Sequence, residues 1–105
     1  MKRVFQNRID EYEDFGNGVR FHFVSKVLYK DDKKVSITQK EGLLLNLLVQ
    51  NANSYVSQSI IFDELWEHGS EPSELSLRAY IKNIRKIIGK DKIINSHHKG
   101  YCYVK

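Results

Sequence analysis

The segment SELSLRAYIKNIRKIIGK, Ser73 to Lys90, restricts the fold of this chain more than any other. Leu77, Ile81, Ile84 and Ile88 recur at i, i+4, i+7 and i+11, the spacing of one helix face and of no strand. At about 100° per residue, the opposite side carries Leu75, Ala79, Lys82, Asn83 and Lys86, flanked by Arg78 and Arg85. Gly89 stands where a helix C-cap belongs. The pattern predicts a helix over about 74–88 that buries one stripe and turns cations outward. Such a helix needs a core to lie on, which the rest of the chain must supply.

Upstream, VRFHFV alternates Val19, Phe21 and Phe23 with Arg20 and His22, and KVLYK and KKVSI continue in short strand-like runs. The charged KDDKK between them reads as a hairpin turn. At TQKE the period changes: Thr38 and Glu41 form a capping box, and the leucines that follow make a helix buried on most sides. Gly42 is a weak point there, costing roughly 1 kcal/mol against alanine, and marks close packing against another element. NANS ends that helix, Tyr55–Ser57 is a short extended link, and Ser57 caps a second helix through QSIIFDELWEH. That helix places Ile61, Phe62, Leu65 and Trp66 on one side, with Trp66 as a core anchor. After the break GSEPSE and the third helix, DKIINS, HHKG and YCYVK read as strand, turn and strand. In that hairpin Gly100 supplies a positive φ and Tyr101 is packed beneath the turn. The order is sheet, three helices, hairpin, an α+β domain over 16–105. Residues 1–15 are polar and read as a linker or a poorly ordered N-terminal segment.

Length and charge narrow the function. With 105 residues the chain holds one core. Residues 1–74 carry nine Lys/Arg and twelve Asp/Glu, net −3, whereas residues 75–105 carry eight against Asp91 alone, net +7. A basic C-terminal third points to a polyanionic partner, nucleic acid or an anionic membrane. The single cysteine fits a reducing compartment such as the cytoplasm, and the charged N-terminus does not read as a signal peptide. The longest apolar run, GLLLNLLV, is far too short to span a bilayer.

The stretch NSHHKGYCYVK tests whether the chain carries chemistry. Adjacent strand residues face opposite sides, so His97 and His98 cannot share an ion from a regular strand. A structural zinc site takes four ligands and a catalytic one three, which only distant His22 or His68 could complete. Cys102, between two tyrosines, reads as packed rather than nucleophilic. The stretch is read as a hairpin tip; no cofactor, metal, small-molecule substrate or catalysis is expected.

A short helix, a connection and a second amphipathic helix with outward cations follow helix-turn-helix logic. The major groove of duplex DNA admits one helix, and the small Ala79 allows close approach. Arg78 and Lys82 can donate to guanine and Asn83 can pair with adenine, while Arg85 and Lys86, nearer the C-terminal end, suit phosphates. His97, His98 and Lys99 at the hairpin tip form a basic finger beside that helix. The alternative at this stage is a module whose basic face docks an acidic protein.

The stretches ITQKEGLLLNLLVQNANSYVSQSIIFDELWE, SELSLRAYIKNIRKIIGKDKI and KGYCYV resemble the winged helix-turn-helix effector domain of OmpR/PhoB-type bacterial response regulators, over about residues 20–105. The resemblance implies an N-terminal antiparallel sheet, three helices and a C-terminal β-hairpin wing. It implies sequence-specific binding of direct-repeat double-stranded DNA as a dimer, with the third helix in the major groove and the wing (about 96–100) at the minor groove. Lys82 and Arg85 match basic positions of that helix, and Ala79 and Tyr80 fall where groove-facing side chains lie, Tyr80 and Lys99 being assigned to the DNA backbone. His97 and His98 stand where arginine and glycine are usual at the wing, which makes that contact pH-sensitive, since an ordinary imidazole pKa is ~6.5. The loop of His68, Gly69, Ser70 and Glu71 matches the family's RNA polymerase contact. A receiver domain would lie in a longer native chain.

Overall fold

The computed structural model describes residues 11–67 and 69–105. Residues 1–10 and His68, and with them most of the expected linker and part of the expected polymerase loop, lie outside the described residues. The order is β1 (Tyr12–Gly16), β2 (Val19–His22), β3 (Val27–Lys30), β4 (Lys33–Val35), α1 (Gln39–Gln50), β5 (Tyr55–Val56), α2 (Gln58–Leu65), α3 (Glu74–Ile88), β6 (Ile93–Ser96) and β7 (Gly100–Tyr103). Strands β1 to β4 form an antiparallel meander in chain order, and β5, β7 and β6 form a second sheet with β7 in the middle. The architecture is an α+β winged helix.

Local chemistry accounts for most of these boundaries. Asp31 and Asp32 both have positive φ, 51° and 67°, so KDDK closes β3 onto β4 through a two-residue turn of the primed type, with Lys30 opposite Lys33. Arg20 Nη2 donates to Asp32 Oδ1 at 2.8 Å and steadies that turn. The capping box of α1 is complete: the Glu41 amide donates to Thr38 Oγ1 (3.1 Å) and the Thr38 amide to Glu41 Oε1 (2.9 Å). Ser57 Oγ accepts from the Ile60 amide and Ser73 Oγ from the Ser76 amide, which starts α2 and α3 where their caps predict. The close approach expected at Gly42 is the Lys26 carbonyl, 3.4 Å from where a β-carbon would stand.

Three expectations change. Residues 12–15 are not linker, because Tyr12–Gly16 pair with β2 from Tyr12 opposite His22 to Gly16 opposite Val19. The strand was hidden because its inward positions are Glu13 and Phe15, so a buried acid breaks the apolar alternation. Helix α2 is shorter than expected: Trp66 is its C-cap, with extended backbone (φ −110°, ψ 134°). Trp66 is accordingly half-buried rather than a core anchor, edge-on to Phe62 at 5.4 Å and 5.6 Å beneath Lys40 Nζ. Tyr55–Val56 is more than a link, since it pairs with Tyr101 and Cys102 as the third strand of the wing sheet.

The core runs from the meander (Phe15, Val19, Phe21, Leu28) through α1 (Leu44, Leu45, Leu48) to the inner stripe of α3 and to Ile93 and Tyr103 of the wing sheet. Glu13 is buried among these groups, where its Oε2 accepts from Tyr103 Oη at 2.6 Å and its Oε1 lies 3.5 Å from Lys105 Nζ. Burial first, and the adjacent Glu13 carboxylate second, hold the Tyr103 phenol well above the usual phenol range. A raised folded-state pKa stabilises the protonated form. That stability is whole below the ordinary phenol value of ~10 and is lost as pH rises through and beyond it. Tyr103→Phe strands the Glu13 carboxylate and is expected to cost about 1.5–3 kcal/mol near neutral pH, as for a hydrogen bond to a charged group. Above pH ~10 its stability should fall less steeply than that of the native chain; parallel alkaline slopes in urea melts of the two proteins would remove Tyr103 as the cause.

Candidate nucleic-acid interface

Helix α3 divides as its sequence predicts. Leu77, Ile81, Ile84 and Ile88 are buried, while Leu75, Arg78, Ala79, Lys82 and Lys86 are exposed. Glu74 in the first turn and Arg85 and Lys86 in the last are placed to suit the helix dipole. Arg78 Nη2 lies 3.5 Å from Glu74 Oε2, an exposed i,i+4 pair. Pairs of this kind are weak, so the guanidinium remains available to a partner.

The wing completes the surface. Val56 and Tyr101 pair across β5 and β7, and Asn95 and Tyr101 across β6 and β7, which sets the hairpin beside α3. Between helix and wing lies a groove of about 510 Å³ lined by Arg78, Lys82, Arg85, Lys86 and Lys90 on one side and Asn95 and Tyr101 on the other. Arg85 also braces the groove, its Nε donating to the Ile93 carbonyl at 3.0 Å. At the tip, His97, His98 and Lys99 are exposed; the two imidazoles meet edge to face at 4.7 Å and Lys99 Nζ stands 5.5 Å from the Tyr55 ring. A second hollow, about 170 Å³, brings His97, His98 and Lys99 against Gln58, Glu74 and Arg78 at the starts of α2 and α3. Cations from helix and wing thus line two adjoining hollows that share Arg78, Asn95 and Tyr101, a shape and charge suited to a polyanionic backbone.

Arg78, Ala79, Lys82 and Lys86 stand on this face, Arg85 lines it while tied to the wing, and His97, His98 and Lys99 close one end. Asn83 does not join them. It is half-buried and its Nδ2 donates to Glu41 Oε2 at 2.9 Å, so the expectation that it reads adenine is corrected to a tie between α3 and α1. Its angle about the helix axis places it on the flank nearer α1, which helical spacing alone could not distinguish from the open flank. Tyr80 turns inward as well, packing against the core with its ring 6.2 Å from that of Trp66. Gly69, Ser70 and Glu71 are exposed in the α2–α3 connection.

Two groove residues were missed, Lys90 and Asn95. Lys90 was legible as a cation one residue past the Gly89 cap. Asn95 had no sequence signal, since only the pairing of β6 with β7 aims it at α3.

Residues 32–103 match the family model described as "Transcriptional regulatory protein, C terminal". The transcriptional regulatory protein PmrA of Pectobacterium parmentieri is 35% identical over 75 residues, which are 71% of this chain and 34% of that protein. The chain spans about a third of the length of the curated relatives it matches. The C-terminal effector domain of BfmR from Acinetobacter baumannii superposes with a TM-score of 0.71 at 27% identity, covering 94% of each chain. The Klebsiella pneumoniae RstA DNA-binding domain, solved in complex with the RstA box, superposes with a TM-score of 0.67 at 16% identity over 90% of this chain and 97% of that one.

Proposed function

Because the chain belongs to the family of transcriptional regulatory protein C-terminal domains, we propose that it binds double-stranded DNA sequence-specifically in the control of transcription. The observation that carries this reading is the cationic surface that α3 and the wing form around two adjoining hollows. Arg78 and Lys82, on the exposed middle of α3, donate to base edges in the major groove, with Ala79 between them allowing close approach. Lys86, Lys90 and the free donors of Arg85 neutralise phosphates, and His97, His98 and Lys99 enter the minor groove. The RstA DNA-binding domain, solved in complex with its box, supports DNA as the partner here. The reading takes in two copies on a direct repeat, the exposed Gly69–Glu71 connection as a polymerase contact, a receiver domain in a longer chain, and a cytoplasmic setting. Among the described residues no helix is long and apolar enough to cross a membrane.

Selection from a random duplex pool, followed by anisotropy titration of the winner at two salt concentrations, tests it. Enrichment of a repeated half-site about one helical turn apart is the expected result. No enrichment, with weak binding that vanishes at moderate salt, would overturn it in favour of an acidic protein partner. On the selected site, Lys82→Ala is expected to relax preference at one base by about 1–3 kcal/mol. Lys86→Ala is expected instead to weaken all sequences alike and to reduce the log–log salt slope by about 1. Equal behaviour of the two variants across single-base substitutions would remove Lys82 from the readers.

A further inference from the structure

Leu75 is the most exposed large apolar side chain among the described residues, at 79%. Single exposed leucines are common on protein surfaces and by themselves signify nothing. Leu75 differs in its place: it begins the stripe Leu75, Ala79, Lys82, Lys86, whose other members all face outward along α3. Its exposed neighbours on the helix are Glu74, which pairs with Arg78 at 3.5 Å, the small Ala79 and the cations Arg78 and Lys82, none of them a large apolar side chain. The surroundings call for a partner that is anionic as a whole yet offers one isolated apolar group at the depth α3 reaches.

The major groove fits both requirements. Its walls are phosphates, and among the groups that base edges present there the only apolar one is the C5-methyl of thymine. Opposite any other base, Leu75 would be desolvated against a hydrogen-bonding group and would leave that group unpaired. We propose that Leu75 is a specificity-determining residue that reads a thymine methyl at the half-site position facing the first turn of α3. This rests on the DNA-binding reading above and deepens it.

The experiment uses the operator obtained from the random pool and replaces each thymidine in turn by deoxyuridine, which removes the methyl and nothing else. For the native chain, one dT→dU change is expected to weaken binding roughly fourfold, the equivalent of one buried methyl. Leu75→Ala should bind the thymidine operator more weakly and be indifferent to deoxyuridine at that position, while Leu75→Met, which keeps an apolar tip, should retain the sensitivity. Because the side chain is exposed, neither variant disturbs the core. Indifference of the native chain to every dT→dU change, or equal sensitivity in Leu75→Ala, would overturn the methyl reading while the selected operator upholds DNA binding. Failure to select any operator would overturn both.

Discussion

Gly100→Ala is expected to lower stability by about 4 kcal/mol, the sum of two effects. Gly100 has φ +108°, a conformation that costs a side-chain-bearing residue about 1–3 kcal/mol. A β-carbon there would also stand 2.0 Å from the Val56 carbonyl oxygen of the paired strand and 2.9 Å from Cα of Ser57, the α2 cap that follows it, both backbone atoms. Neither can rotate away, so β5 must separate from β7, and overpacking of this kind costs about another 1–3 kcal/mol. The expected signature is a thermal midpoint lower by roughly 15–30 °C. Gly16→Ala is the control. It has φ +87° with open space around the β-carbon, and should lose only the conformational part, about 1 kcal/mol. Similar losses at the two positions would show that the β5–β7 approach contributes nothing. Since β7 carries one side of the groove, Gly100→Ala should also weaken DNA binding by more than its loss of folded protein explains.

The second large effect belongs to Glu41. Only 5% exposed, it accepts from the Thr38 amide through one oxygen and from Asn83 Nδ2 through the other, joining the start of α1 to the middle of α3. Glu41→Ala removes half of the capping box, about 1 kcal/mol, and leaves a half-buried amide without its acceptor, about 1–3 kcal/mol more. The expected loss is about 3 kcal/mol. Glu41→Gln should recover part of this, since its oxygen can serve one donor while its amide nitrogen faces the other. If the tie is as described, Asn83→Ala lowers stability, couples to Glu41→Ala in a double-mutant cycle by about 1–2 kcal/mol, and leaves base preference intact. An Asn83→Ala protein of native stability that changes preference at one base would return Asn83 to the reading face.

These cases show how much of the molecule was legible. The stripe of Leu77, Ile81, Ile84 and Ile88 gave α3 to within a residue at each end, because helical spacing and the Ser73 and Gly89 caps are local properties of the chain. The same is true of the Thr38–Glu41 box and of the Asp31–Asp32 turn. Strand β1 was not legible, although Asn17 and Gly18, both at positive φ, form its turn. Glu13 points inward against the alternation, and the arrival of Tyr103, ninety residues later, with Lys105 beside it, makes an acid tolerable there. Trp66 fell outside its helix because no local signal distinguished a cap from a last turn.

The candidate site divides along the same line. Charge, periodicity and capping are carried by neighbours in sequence, so the sequence by itself determined which helix presents cations, where it starts and stops, and that a basic hairpin follows. Which flank of that helix faces the groove depends on groups distant in the chain. Glu41 draws Asn83 inward, Trp66 takes the Tyr80 ring, and the β6–β7 register turns Asn95 toward α3. Those choices were made by the tertiary structure alone, because a polar side chain half-way round a helix satisfies its hydrogen bonds with whatever element packs beside it.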